Sequence, residues 1–338
     1  MWSFPGFKMS SFSMSGSPDR LKIAVVGLGV FGRLHAETLQ RLEGGFLAAL
    51  VETDEAGRNA ATRDFAGTPV FASLEALIEA RAADAVIIAT RAATHLPLSI
   101  RAMEAGLDVF VEKPAAESEE EVEALIAAQR KSGRVAMVDH ICLFHSLIDP
   151  MLRRVAETGF RAAHFVRHRP AALARRFPEA HPLHLLMVHD FYIAARLVDG
   201  EEPCEWHLME SASRPGENAD MVWVALRWRD GRTATFQSHC TLPPSAPSDG
   251  WDRIELFGEG FHSLVQTNPA PWQWQGAQPE WPIALEISSV QGRPTGMLAE
   301  AQRSFIAALR GTPVPPGCRL EDALQVERWT ARILQARV

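Results

Sequence analysis

The chain has 338 residues, 47% of them hydrophobic and 22% charged, with a formal net charge of −7. That length suits two domains, the negative charge speaks against a general nucleic-acid surface, and no apolar run approaches the ~18 residues a membrane-spanning helix needs. The cysteines Cys142, Cys204, Cys240 and Cys318 are far apart with no CxxC pair, which argues against a disulfide framework or a clustered thiolate metal site and suits a reducing cytoplasm.

Residues 1–19, MWSFPGFKMSSFSMSGSPD, are rich in Ser, Met, Gly and Pro and have no apolar core of a secretory signal. They are expected to be a disordered leader, or the product of a start codon placed too early, with Met9 and Met14 as alternative starts. From Arg20 the chain becomes patterned. RLKIAVVG (20–27) reads as a buried parallel strand, followed by GLGVFG and then by a helical segment, GRLHAETLQRLE. Gly27, Gly29 and Gly32 stand in G-x-G-x-x-G spacing, and a strand before and a helix after make that spacing a dinucleotide-binding signature. Gly27 allows the tight turn, Gly29 lets backbone approach a pyrophosphate, and Gly32 lets helix pack on strand. Val30 and Phe31 complete the loop, where the helix start offers free N–H groups to phosphate.

A second strand, FLAALVE, ends at Glu52, 20 residues past Gly32. A carboxylate there accepts hydrogen bonds from the adenosine ribose and repels a 2′-phosphate, so NAD is preferred over NADP. Arg58 lies nearby, inside the next predicted helix, and weakens that preference only slightly. Helices are expected at about 55–65, 73–80, 95–105 and from Ser118 to Gly133, with strands at 84–90, 108–112 and 134–139. Ser118 and Glu121 have the spacing of a capping box. Strand–helix alternation with short links means a doubly wound parallel sheet, with ligands beyond the carboxyl ends of its strands. This places Thr90 to His95 and Glu112 to Pro114 on the binding edge.

Lys113 stands out there. Among 34 Lys and Arg, only Lys8, Lys22, Lys113 and Lys131 are lysine. A lysine can give up its proton near neutral pH when desolvated, and an arginine essentially cannot. Pro114 stiffens the turn that carries it.

Between Arg167 and His189 the chain gathers Arg167, His168, Arg169, Arg175, Arg176, His181, His184 and His189. This reads either as an anionic-substrate site or as a solvated loop in an arginine-rich chain. As a metal site it is poor, with no H-E-x-x-H and no clean i, i+4 histidine pair. Tyr192, the only tyrosine, lacks a lysine four residues on, which argues against a short-chain dehydrogenase mechanism. The segments 221–229, 233–240 and 251–258 alternate as antiparallel strands, with a DG turn at 230–231. Trp272, Trp274 and Trp281 sit in a Pro/Gln-rich loop expected to cover a sheet face or a partner surface. An open sheet usually needs a partner, so a homodimer or homotetramer is expected through it.

GLGVFGRLHAETL, the acid at Glu52, DAVIIATRAATH and VEKPAAES together resemble the Gfo/Idh/MocA oxidoreductases. PLHLLMVHDFYIAARLVDG resembles that family's H-D helix, and GMLAEAQRSFIAALRG…LEDALQVERWTARIL its closing helices, so the likeness runs over about residues 20–336. The resemblance implies an N-terminal Rossmann domain (20–140) and a C-terminal α/β domain (141–338) with a large open, mostly antiparallel sheet, the last helices packing back on the first domain. It implies hydride exchange between NAD(P) and a hydroxyl or carbonyl of a sugar, cyclitol or sugar acid. It places Lys113 against both the nicotinamide ribose and the substrate, and makes His189 the acid/base. Gly27, Gly29, Val30, Phe31, Gly32, Glu52, Thr90, His95, Glu112 and Lys113 are the expected cofactor contacts. Lys113, Arg169, His184, Leu185, His189 and Asp190 are the expected substrate contacts.

The sequence departs from that family's pattern at Leu185, where an aspartate is usual four residues before the histidine. It departs also at Arg91, where proline is common, and at Leu143–Phe144, where arginine–phenylalanine is frequent. Two alternatives follow: an NAD-binding sensor without turnover, and a glycoside-cleaving relative that uses NAD transiently.

Overall fold

The computed structural model describes residues 20–177, 180–213, 219–246, 250–266, 273–275, 278–280, 288–290 and 293–336. The expectations for residues 1–19 and for Trp272 and Trp281 lie outside the described residues, as does the side chain of Trp274.

The first half alternates strand and helix as its sequence does: β1 (Leu21–Val26), α1 (Val30–Leu39), β2 (Gly45–Val51), α2 (Glu55–Asp64), β3 (Val70–Phe71), α3 (Leu74–Glu79), β4 (Ala85–Ile88), α4 (His95–Glu104), β5 (Asp108–Glu112), α5 (Glu119–Ser132) and β6 (Ala136–Asp139). The six strands form one parallel sheet in the order β3-β2-β1-β4-β5-β6. The order reverses between β1 and β4, and the crevice above that point is where such sheets bind ligands. Both faces are covered, so the strands are apolar throughout. Val25, Ile87, Phe110 and Met137 belong to one core, and Ala24, Val86, Val111 and Val138 to the other. Each large aliphatic or aromatic side chain so buried contributes roughly 1.5–3 kcal/mol.

Ser118 caps α5 as its position predicts, accepting from the Glu121 N–H at 3.3 Å. The reciprocal half of the expected capping box differs. The Glu121 carboxylate reaches one residue further and accepts from the Glu117 N–H at 2.9 Å.

The second half contributes α6 (Ile148–Thr158), β7 (Ala162–Pro170), α7 (Ala171–Arg176), α8 (Val188–Leu197), β8 (Glu205–Ser211), β9 (Met221–Arg227), β10 (Thr233–Leu242), β11 (Trp251–Gly258) and β12 (Phe261–Val265). Four three-residue strands follow, β13 (Gln273–Gln275), β14 (Gln278–Glu280), β15 (Ser288–Val290) and β16 (Arg293–Thr295), then α9 (Met297–Leu309) and α10 (Leu320–Gln335). The large sheet has the order β12-β11-β7-β10-β9-β8, and only β7 and β10 are parallel. The DG turn joins β9 to β10, with Gly231 at φ +88°.

Alternation assigns each strand one buried face. Ile254, Phe165, Phe236, Val224 and Leu208 are cross-strand neighbours in one row, and all are buried. Phe236 meets Phe191 of α8 edge to face, and Trp329 of α10 lies against Trp228 and Trp206. The opposite face carries exposed Met209, Trp251, Phe257 and Leu264. Helix α9 turns back onto the parallel sheet, where Phe305 stacks on Phe110 and Ile306 joins the same core.

Candidate active site

The glycine loop separates three steric roles. Gly27 has φ +88°, and a Cβ there would lie 2.6 Å from Thr90 Cγ2. A Cβ on Gly32 would lie 1.9 Å from the Gly27 carbonyl oxygen, so this glycine lets α1 close on the loop. A Cβ on Gly29 would meet nothing within 4 Å. Gly29 is the residue before α1, and the first N–H groups of the helix, from Val30 onward, lack intrahelical acceptors. Open space at that point is what an approaching phosphate requires. Val30 and Phe31 expose their side chains to the same space.

Glu52 follows β2 and ties the loop to its neighbour. One carboxylate oxygen accepts from the Leu28 N–H and the other from the Asp54 N–H, each at 3.0 Å. Arg58 donates to the carbonyls of Glu52 and Thr53, at 3.1 and 2.6 Å, so its guanidinium is held at this corner.

Two further turns meet the loop. Thr90 follows β4 and accepts from the Thr94 hydroxyl at 2.7 Å. His95 was expected to touch the cofactor, but its ring is buried and fastens two turns instead. Nδ1 lies 2.7 Å from the Pro114 carbonyl and Nε2 3.2 Å from that of Thr90. The Lys113–Pro114 peptide is cis. Glu112 accepts from the Lys113 N–H at 3.2 Å and faces His35 with its other oxygen.

Lys113 extends its amine across to the second half of the chain and donates to the Leu185 carbonyl at 3.1 Å. Leu185 lies in a π-helical turn, Leu183–Met187, that precedes α8. Such wide turns often mark functional sites. The segment that resembles the family's H-D helix therefore begins with a wider turn than an α-helix has. A backbone carbonyl occupies the place of acceptor for the lysine, where the missing side-chain carboxylate had left the question open. Burial, reinforced by Arg167 and Arg169, pulls the Lys113 amine below its usual range, with Glu112 pulling the other way.

His189 sits one residue into α8. Burial, then Lys113, Arg167, His140 and Arg169, hold its imidazole well below the ordinary value. Its Nδ1 is buried without a hydrogen-bond partner among the described residues. A neutral ring with an unengaged Nδ1, beside a desolvated amine, can meet a substrate hydroxyl as a proton acceptor, and the burial and cations that keep it neutral also make it a weak base.

Asp190 was expected to face the substrate. Its carboxylate instead forms a two-pronged pair with Arg167, Nε to Oδ2 and Nη2 to Oδ1, both 2.9 Å. Arg167 also reaches Asp252, its cross-strand neighbour on β11, at 2.9 Å. Asp252 pairs in turn with Arg169. The basic run is thus divided rather than pooled. Arg167 and Arg169 are matched by Asp190 and Asp252, His184 lies 3.6 Å from Glu327, and His181 pairs with Glu210. Sequence reading missed His140, Asp252 and Glu327. None carries a local signature, and only the strand register and the return of α10 bring them in.

Residues 21–140 match the model of the Gfo/Idh/MocA oxidoreductases, described as an oxidoreductase family with an NAD-binding Rossmann fold. Among characterised proteins, the chain is 33% identical over 144 residues to an inositol 2-dehydrogenase of Corynebacterium glutamicum, covering 41% of this chain and 42% of that one. The match therefore spans less than half of that relative's length. It is 28% identical over 249 residues to a UDP-N-acetylglucosamine 3-dehydrogenase of Acidithiobacillus ferrooxidans, covering 72% and 74% of the two chains. Among solved structures, a scyllo-inositol dehydrogenase of Lactobacillus casei superposes with a TM-score of 0.81 at 17% identity, over 95% of this chain and 97% of the other. At that identity the likeness speaks for the fold.

Proposed function

Because residues 21–140 match the Gfo/Idh/MocA oxidoreductases, we propose that the chain moves a hydride between a nicotinamide cofactor, NAD in preference to NADP, and a hydroxyl or carbonyl carbon of a sugar, cyclitol or sugar acid. The observation that carries this reading is that Lys113, at the carboxyl end of the parallel sheet, lies close enough to act on His189, whose Nδ1 has no partner among the described residues, while the glycine loop of the same sheet leaves open space over Gly29. The relatives named as inositol and UDP-N-acetylglucosamine dehydrogenases support the substrate class.

The residues fit a dinucleotide. The loop from Gly27 to Gly32 would receive the pyrophosphate, with Glu52 accepting from the adenosine ribose and repelling a 2′-phosphate. Thr90, Glu112 and Lys113 would line the nicotinamide end. Bound there, the nicotinamide supplies the hydride acceptor or donor. In the oxidising direction His189 takes the proton of the substrate hydroxyl, and Lys113 donates a hydrogen bond to the same oxygen as it gains negative charge. General-base help of this kind contributes about 10²–10⁴-fold. The Leu185 carbonyl aims the amine, and the Arg167–Asp190 pair fixes the start of α8 and so the His189 ring. Arg169, His184 and Leu185 border the substrate space.

The exposed apolar residues on the open face of the large sheet support pairing of two or four copies through that face. No helix among the described residues is long and apolar enough to cross a membrane, and a cytoplasmic location suits cysteines that form no disulfide.

The test is a fluorescence titration of the protein with NADH and NADPH, with Glu52→Ala alongside, followed by a turnover screen on sugars, cyclitols and sugar acids. Tight NADH binding, weaker NADPH binding and a narrowed gap in the variant are expected. Failure of both nucleotides to bind would overturn the reading. Binding without turnover on any of these classes would favour a sensor.

A further inference from the structure

Beneath Lys113 lies a group of side chains that hydride transfer leaves unused. His35 of α1 is fully buried, with Nε2 3.1 Å from Glu112 Oε1 and 3.3 Å from Asp139 Oδ2. The two acids are cross-strand neighbours at the ends of β5 and β6, so their carboxylates lie side by side. Gln302 of α9 closes the far side, its side-chain amide 3.0 Å from His35 Nδ1 and from the His35 carbonyl. Phe110 meets the imidazole edge-on. Three ionisable groups from three elements are therefore packed together in an apolar box.

Such a cluster is costly, because apolar residues of the same volume usually serve stability as well or better. Its hydrogen-bonded link to the site is Glu112, whose second oxygen accepts the backbone N–H of Lys113. Burial alone would strip His35 of its proton, but Asp139 and Glu112 outweigh it and raise the imidazole to about 9. Burial and the neighbouring Glu112 push Asp139 up to about 6. Asp139 faces His35 from α1, Glu112 and Lys113 from the end of β5, and Cys318 from the segment before α10. His140 follows it in the chain, and Gln302 faces only His35. Between about pH 6 and 9, His35 carries one positive charge against the two acids, and above about 9 it gives that charge up. As Asp139 takes up a proton the cluster becomes neutral.

We propose that His35 and Asp139 are positioning residues for Lys113, acting through Glu112 to hold the turn that carries the amine and to keep a net negative charge beneath it. This rests on the reading of Lys113 as part of the reacting centre. It predicts that the protonation of Lys113 answers to the charge of a residue it does not touch.

The chain's few lysines make that measurable. The folded protein is labelled with trace acetic anhydride between pH 6 and 11, and the Lys113 peptide is followed by mass spectrometry against Lys22 and Lys131. Asp139→Asn removes a negative charge with little change of shape and is expected to lower the Lys113 midpoint by roughly half a pH unit. Glu112→Gln is expected to lower it further, and Lys22 and Lys131 should not move. Loosened packing would instead admit water and raise the midpoint towards that of ordinary lysine. An upward shift, or none, in Asp139→Asn overturns the proposal. If that variant does not fold, the direction in Glu112→Gln decides. With turnover in hand, Asp139→Asn should move the Lys113 limb of the kcat–pH profile while the NADH Kd stays within about threefold. If no substrate is turned over, the hydride-transfer reading fails, and the labelling still decides whether the cluster governs the amine.

Discussion

Replacing Gly29 and Gly32 separately by alanine tests whether the loop is a phosphate cradle or only a well-packed turn. Neither glycine has positive φ, so neither substitution strains the backbone on that account. At Gly32 the new methyl would lie 1.9 Å from the Gly27 carbonyl oxygen, which is backbone and cannot turn away. Overpacking of that kind costs about 1–3 kcal/mol, and the displaced loop should bind NADH weakly as well. At Gly29 nothing lies within 4 Å, so the methyl costs the free protein only tenths of a kcal/mol. If the pyrophosphate packs on that backbone, the same methyl occupies its place, and a loss of about 1.4–3 kcal/mol is a ten- to hundredfold rise in Kd. Thermal melts without nucleotide and NADH titrations of both variants separate the two effects. Gly29→Ala should melt with wild type and bind poorly, whereas Gly32→Ala should fail on both counts. A Gly29→Ala protein that binds NADH as wild type does would refute the placement of the phosphates over that residue.

Lys113→Met should lower kcat by about 10²–10⁴ while the NADH Kd changes only a few-fold, and unchanged turnover would remove Lys113 from the reacting centre. Arg167→Met strands the buried Asp190 carboxylate and leaves Asp252 with Arg169 alone, and should cost roughly 3–5 kcal/mol in urea unfolding, more than Asp190→Asn, which leaves Arg167 its second partner Asp252. Equal losses would mean that the arginine's charge is not what the network needs. The His35 proton should appear in the pH dependence of stability. Its folded pKa is raised to about 9 from 6.5, so its stabilisation is complete below pH 6.5 and is lost as pH rises through about 9. The full effect is on the order of 3 kcal/mol, and His35→Gln should flatten that decline. A wild-type and variant pair with parallel profiles would show that the proton is not held.

The parallel sheet was legible because its grammar is local. Gly27, Gly29 and Gly32, the apolar runs of β1, β4 and β5, and Ser118 before α5 each announce a conformation within a few residues. Lys113 was legible for a related reason, as a rare residue at a strand end made stiff by Pro114. The second half was legible as strands but not as a network. Arg167 and Asp252 are 85 residues apart, and only the β7–β11 register makes them neighbours. His35 and Glu112 are 77 residues apart and meet only because α1 packs across the ends of β5 and β6. Of the basic run, Arg167, Arg169, His181 and His184 each face an acid, supplied by α8, β11, β8 and α10.

Leu185 shows why reading side chains alone misjudges a site. As a letter it is a lost carboxylate, and by itself it argues for a centre that no longer works. In the fold, the π-helical turn around it presents a backbone carbonyl to Lys113 at 3.1 Å, and a carbonyl accepts a hydrogen bond without carrying charge. The exchange changes electrostatics more than geometry. A carboxylate beside the amine would hold it protonated, whereas a neutral carbonyl leaves burial and the cations of Arg167 and Arg169 to pull it down. The largest influence opposing them is Glu112, whose carboxylate faces His35. A site that has given up an acid on its substrate side therefore leans harder on the acids buried behind it.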